Sequence, residues 1–244
     1  MGSFSYLTVA DYPIFNAKNE YIHKLVNLLF QPEDYLQETR PYSSKNKIYW
    51  GEAYSKKEGS YTFKGFKQSI KVCKERLEIY GYSLNYAKAN FKTAKRFANK
   101  EYHYNFPIAK VTFKQYLEES NFILTNKIKS YEGHRHNLRH GLITDDLYFF
   151  GQSIEANLYS LFTLLNDTDI VEYDLSDIID EDYIDYDVVK KIVFEKIIIL
   201  TEGKTDVEFI SNSIKLLHPH LLPYYHFINF DEYKVESNAS ALVK

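Results

Sequence analysis

The sequence contains a single cysteine, Cys73, among its 244 residues. One thiol cannot build a disulfide framework within the chain, which favours a reducing compartment. Apolar runs long enough for a membrane span, about 18 residues, are also lacking, and the start has no basic-then-apolar secretory signal. We therefore expect a cytoplasmic protein with no membrane association, large enough for one large or two small domains.

Charge of one sign is scarce in two parts of the chain. Residues 41–140 hold most of the lysine and arginine, whereas residues 167–187 contain many acidic residues and no basic one. A basic region attracts the phosphates of nucleic acid whatever their sequence. Ordinary solvated helix faces would give the same composition. The 23 tyrosines and 17 phenylalanines leave a similar choice between helix packing and base stacking.

Apolar residues at steps of three and four predict helices between residues 63 and 165. Gly81 is expected to end the first helix, and Ser83, Thr112 and Thr144 are expected to cap later ones. The predicted fold class is therefore mainly α: a helical bundle over residues 1–188, with an irregular N-terminal layer (1–60) and a partly ordered acidic linker (167–188).

Residues 189–244 have a different pattern. An aliphatic run up to Leu200, a helix capped by Thr205, the strand-like "YYHFINF" and the start of a further helix give the order β-α-β-α. This order predicts a parallel sheet covered by helices, as a second, partial α/β domain.

The first strand of this domain runs directly into polar residues in "LTEGKTDVEFI". Glu202 would lie at the carboxyl end of a strand, where it could bind Mg²⁺ or act as a general acid or base. The string resembles the opening motif of TOPRIM domains, and this resemblance implies that Glu202 is the catalytic and metal-binding acid. A TOPRIM nuclease also needs a later Asp-x-Asp pair for Mg²⁺, which the 42 residues after Glu202 lack. We therefore expect part of a TOPRIM fold, with Mg²⁺ only where the centre is complete.

The rest of the chain also resembles a known family. The opening "MGSFSYLTVADYPIF", Trp50-Gly51, "VCKERLEIYGYSLNYAKANF" and the acidic segment before the TOPRIM-like strand are similar to the bacterial HEPN/Toprim-associated N-terminal family. The resemblance implies a helical HEPN domain that forms a homodimer. Many HEPN domains are ribonucleases that need no metal.

The HEPN signature is an arginine followed, after four to six residues, by a histidine. Arg135 and His140 match it in "RHNLRH", and His136 is the polar residue that follows the arginine. His140 would act as general base or acid on the RNA 2′-hydroxyl, and Arg135 would bind the scissile phosphate. Arg96 and His103 are an alternative match. Alternatively, Arg135 and His140 are only a polar cluster at a helix end.

These observations leave more than one function open. The first is an RNA-binding HEPN ribonuclease of a bacterial antiphage defence or toxin-like protein, without cofactor. The second is a non-catalytic HEPN module that dimerises and docks RNA or DNA for a Mg²⁺-dependent TOPRIM nuclease. The third assigns the activity to the TOPRIM centre of a longer protein alone, which would cut DNA with Mg²⁺. The sequence identifies no partner defence protein. The residues expected to bind nucleic acid are basic: Lys88, Lys92, Lys95, Arg96 and Arg139.

Overall fold

The structure is a computed structural model that describes residues 3–50, 56–101, 108–129, 137–145, 147, 149, 151–189, 191–192 and 195–229. The chain divides into two compact units, residues 1–192 and residues 193–244. Within the described ranges, no helix combines the length and the apolar character that crossing a membrane requires.

A five-stranded sheet forms the centre of the first unit. Its strands follow the order β2-β1-β5-β4-β3, and every neighbouring pair is antiparallel. The expectation of a mainly α fold with an irregular N-terminal layer is therefore wrong, and the unit is mixed α and β. The strands are β1 (Phe4–Val9), β2 (Tyr12–Lys18), β3 (Tyr35–Pro41), β4 (Ser60–Ser69) and β5 (Ile170–Asp174).

The two faces of this sheet differ in polarity. Leu7 and Val9 of β1 and Val171 and Tyr173 of β5 belong to the hydrophobic core. The alternate residues of the same strands are polar or aromatic, because successive side chains in a strand point to opposite faces. This alternation explains β5, which lies in the acidic segment that was predicted to be a linker. Its acidic residues occupy one face while its apolar residues enter the core.

Helices cover the apolar face of the sheet. The sequence placed several of them correctly: Ser83 caps the second long helix with an Oγ that accepts a hydrogen bond from Tyr86 N, and Thr112 forms a capping box with Gln115. Gly81 follows the preceding helix with φ +85°. The helices are α1 (His23–Leu29), α2 (Lys47–Trp50), α3 (Ile70–Ile79), α4 (Leu84–Glu101), α5 (Phe113–Asn126), α6 (Leu138–Thr144), α7 (Ile154–Phe162), α8 (Ser176–Asp180) and α9 (Tyr186–Val189).

Two predicted helix boundaries are wrong. The helix expected from Phe63 begins only at Ile70, because residues 60–69 form β4. Thr144 ends α6 rather than starting a helix, and α7 is capped by Ser153, whose Oγ accepts a hydrogen bond from Ala156 N.

Gly65 on β4 lies where the backbones of β4 and β5 approach each other closely. A Cβ added to Gly65 would lie 2.2 Å from the carbonyl oxygen of Tyr173 on β5. Only glycine allows the two backbones to approach this closely.

The second unit contains β6 (Ile197–Thr201), α10 (Lys204–Leu217), a 3₁₀ turn (Pro219–Tyr224) and β7 (Tyr225–Asn229). The two strands pair in parallel, as the β-α-β order predicts. The helix begins after Gly203 rather than after Thr205. The expected fourth element, a second helix, lies outside the described residues.

Candidate functional site

The candidate site is built around His140 in the first turn of α6. The side chain of Asn137 caps this helix, and its Oδ1 accepts a hydrogen bond from the backbone N–H of His140 over 2.9 Å. The hydroxyl of Thr144 donates to the carbonyl oxygen of His140, also over 2.9 Å. Both backbone polar groups of the half-buried His140 are therefore hydrogen-bonded, and the backbone that carries its imidazole is held in place.

Asp145 lies directly after α6 and interacts electrostatically with His140. Partial burial raises the pKa of the Asp145 carboxyl, and the charge of His140 lowers it in part. An imidazole and a carboxyl group near each other are the group types that exchange protons in acid–base catalysis.

Arg139 fixes α6 against α5. Its Nε donates a 2.6 Å hydrogen bond to Oε2 of Glu119, and its guanidinium carbon lies 3.9 Å from the centre of the Phe122 ring. Both partners belong to α5. This arginine was predicted to bind nucleic acid, and that stays a prediction; its guanidinium, which is 31% exposed, also contributes to a contact between two helices.

The structure describes only part of each predicted catalytic pair. Arg135 and His136 lie outside the described residues, so the distance from Arg135 to His140 is not defined. In the alternative pair, Arg96 is exposed on α4 and His103 lies outside the described residues. Both pairs stay predictions.

The other basic residues expected to bind nucleic acid lie on α4. Lys88, Lys92 and Arg96 are exposed and follow one another at steps of four, so they share one face of the helix. We call these three residues the α4 basic stripe. Across the described ranges, none of the three forms an ion pair with a carboxylate. Lys95 differs, because its ammonium group donates a 2.9 Å hydrogen bond to the carbonyl oxygen of Val111.

Glu202 is exposed immediately after β6, at the carboxyl end of the parallel pair. Thr201, the last residue of β6, pairs with Asn229, the last residue of β7. In the part of the chain that the structure describes, Glu202 is the only carboxylate that directly follows either strand. Mg²⁺ requires several oxygen ligands in an octahedron, which Glu202 alone does not supply, and the residues after Asn229 lie outside the described part of the chain.

Sequence reasoning missed most residues that position His140. Asn137 precedes a helix and is a standard N-cap residue, so this signal was present in the sequence. Glu119 and Phe122 were not detectable, because they contact Arg139 through the packing of α5 against α6.

Comparison with known proteins yields one result. Residues 1–198 match the family described as HEPN/Toprim N-terminal domain 1. Searches of curated proteins and of solved structures found no match. Because the match covers most of the chain, the protein belongs to the HEPN/Toprim N-terminal domain 1 family and is a nuclease-associated module.

Proposed function

We propose that this chain is an RNA-binding HEPN module that cleaves RNA without a metal ion, as part of a bacterial antiphage defence or toxin-like protein. The observation that carries the proposal is the environment of His140. Its backbone is held at both ends by Asn137 and Thr144, and the helix is anchored through Arg139 to α5. An exposed loop histidine without such support would be a poor acid–base catalyst.

The reaction uses the 2′-hydroxyl of RNA as nucleophile. His140 removes its proton, the 2′-oxygen attacks the adjacent phosphorus, and the bond from phosphorus to the 5′-oxygen breaks. A proton returned to that oxygen completes the step and leaves a 2′,3′-cyclic phosphate. Arg135 would bind the phosphate and offset the charge that develops in the transition state.

The α4 basic stripe provides the binding component of this proposal. Three exposed cations on one helix face can follow the phosphates of a strand without reading its sequence. A homodimer, expected from the HEPN resemblance, would offer two such faces.

The test is incubation of the purified chain with total RNA in EDTA. Cleavage is expected for the unchanged protein and is expected to be lost in His140→Ala. His226→Ala is the matched control, because His226 is an exposed histidine on β7. Equal cleavage by His140→Ala and by the unchanged chain would refute the assignment of His140.

A second function is favoured by the position of Glu202 at the end of β6. In this alternative, the first unit only dimerises and docks nucleic acid for a TOPRIM nuclease. RNA or DNA binding without cleavage in EDTA, unchanged in His140→Ala, would support it. Magnesium-dependent cleavage of DNA by this 244-residue chain, lost in Glu202→Gln, would contradict both proposals.

A further inference from the structure

A cleft of about 370 Å³ opens on the first unit, beside the face of the sheet that carries Thr8 and Glu172. Its walls come from parts of the chain that are far apart in sequence: β1, the turn between β1 and β2, residues 43–48, β4, β5 and the end of α5. The volume lies at the lower end of the range for sites that bind small organic ligands.

Backbone conformation brings the rim of this cleft together. Ala10 and Asp11 form the two-residue turn between β1 and β2, with φ +47° and +62°. Lys127 ends α5 in the left-handed conformation, with φ +51°, and its ammonium group donates a hydrogen bond to the carbonyl oxygen of Ala10. Asn46 Nδ2 donates a 2.6 Å hydrogen bond to the carbonyl oxygen of Asp11. The hairpin turn is thereby joined to both neighbouring segments.

The floor of the cleft is close to electrically neutral. Lys45 is buried, and its ammonium group lies 3.0 Å from Oδ1 of Asp177. The carboxylate of Glu172 lies 2.9 Å from the guanidinium of Arg40. These two ion pairs cancel most of the charge beneath a ligand.

The rim is positive. Lys47 and Lys127 are exposed and reach the cleft from different segments, and neither forms an ion pair within the described ranges. Asp11 is the one exposed carboxylate among the lining residues. The exposed Ser43 lines the same space and can supply a neutral hydroxyl donor, whereas the hydroxyl of Thr8 donates to the carbonyl oxygen of Glu172. Two lysines at the rim together with a hydroxyl donor suit a phosphate group.

We propose that this cleft binds a small phosphorylated ligand of about the size of a mononucleotide, with its phosphate between Lys47 and Lys127. The half-buried ring of Tyr61 lines the same cleft and provides apolar contact area for the rest of the ligand, whereas Tyr6 is only 3% exposed. This site shares no residue with the arrangement around His140, so the two proposals stand or fall separately.

The test is isothermal titration calorimetry of the intact chain with AMP, adenosine and inorganic phosphate as probes. AMP is expected to bind, inorganic phosphate to compete with it, and adenosine to bind at least about tenfold more weakly, a difference of about 1.4 kcal/mol. Saturable AMP binding that adenosine matches would overturn the assignment of the phosphate, and no AMP binding at millimolar concentration would overturn the site.

Substitutions that remove a positive or a negative charge from the rim test where the ligand binds. Lys47→Ala and Lys127→Gln are each expected to weaken AMP binding by about three- to tenfold, and Asp11→Asn is expected to strengthen it. Lys114→Ala, a change at an exposed lysine on α5 that is not among the lining residues, is the control. Lys47 makes no side-chain contact that the fold requires in the described part, so its substitution keeps the test valid should Lys127→Gln unfold the chain. Unchanged binding in Lys47→Ala would place AMP elsewhere.

Discussion

Arg139 and Glu119 join the helix that carries His140 to the neighbouring helix through a 2.6 Å hydrogen bond between Nε and Oε2. The side chains of both residues are 31% exposed, so water screens the pair in part. Its main effect is to hold the position of α6, since Arg139 also stacks on Phe122 of the same partner helix. Arg139, predicted to bind nucleic acid, therefore also connects α6 to α5 in this structure.

The first prediction is that the salt dependence of RNA binding comes from the α4 basic stripe and not from Arg139. Each phosphate contact on a single strand contributes a slope of about −0.7 to the dependence of log K on log salt. Lys88→Gln, Lys92→Gln and Arg96→Gln should each reduce the slope by about this amount. Arg139→Gln should leave the slope unchanged and lower the unfolding midpoint instead. A reduced slope in Arg139→Gln would show that its guanidinium contacts phosphate.

The second prediction concerns the buried ion pair of Arg76 and Asp34, whose residues are 1% and 8% exposed. Asp34 also accepts a 2.8 Å hydrogen bond from Gln68 Nε2, and Arg76 donates a 2.7 Å hydrogen bond to the carbonyl oxygen of Leu29. Asp34→Ala should reduce the free energy of unfolding by about 3–5 kcal/mol, because it leaves a buried charge unpaired.

The control for Asp34→Ala is Glu118→Ala, which breaks the exposed pair of Glu118 with Lys114. A change of no more than about 0.5 kcal/mol is expected there. Urea unfolding of both variants makes the comparison, and similar losses in the two would contradict the assigned role of burial.

The third prediction is a pH dependence from Glu155. Burial alone would raise the pKa of this carboxyl group, but hydrogen bonds from Lys24, Ser153 and its own backbone N–H outweigh burial and lower the pKa. A lowered pKa stabilises the fold above the unfolded value of about 4.3, and this stability is lost as pH falls through the folded value. The Lys24 side chain is 66% exposed, so water screens the pair in part. Lys24→Met should therefore cost about 1 kcal/mol at pH 7 and progressively less below about pH 4.

Urea unfolding at pH 7 and pH 3.5 measures this effect. Lys71→Met is the control, because Lys71 is exposed and forms no ion pair in the described ranges. A loss in Lys24→Met that stays constant between the two pH values would show that the Glu155 charge is not involved.

The fourth prediction concerns the reactivity of Cys73. This thiol is fully buried on α3, its Sγ lies 3.6 Å from the carbonyl oxygen of Leu29, and burial strongly raises its pKa. Because the thiolate is the reactive form, the native protein should not react with an aromatic disulfide reagent at pH 8. In guanidinium chloride, one equivalent should react within seconds. Rapid stoichiometric reaction of the native protein would place Cys73 at the surface.

Local signals in the sequence predicted local structure well. The caps at Ser83 and Thr112 and the left-handed Gly81 each depend on residues within one helical turn. The central sheet was missed because its pairing is remote: Tyr6 on β1 donates a hydrogen bond to Asp174, 168 residues away. The acidic composition around β5 also obscured the alternation of Val171 and Tyr173 with polar residues.

The sequence predicted the segment that holds the candidate site but not the contacts that this segment makes. The spacing of Arg135 and His140 drew attention to the segment that contains α6. The contacts of Arg139 with α5 were not predictable, because no local pattern distinguishes an arginine that binds a neighbouring helix from one that binds phosphate. The cleft near Lys47 and Lys127 was missed for the same reason, since its residues meet only in the folded chain.

Because β5 lies between β1 and β4, the central sheet of the first unit can be completed only after β5 has been synthesised. The β1–β2 hairpin and the β3–β4 pair can each form early, but the two halves connect only through a strand that ends at Asp174. During synthesis, the ribosome must therefore deliver almost the whole unit before the sheet can close. Such remote pairing slows folding, and until β5 pairs, the facing edges of β1 and β4 stay open to pairing with other chains.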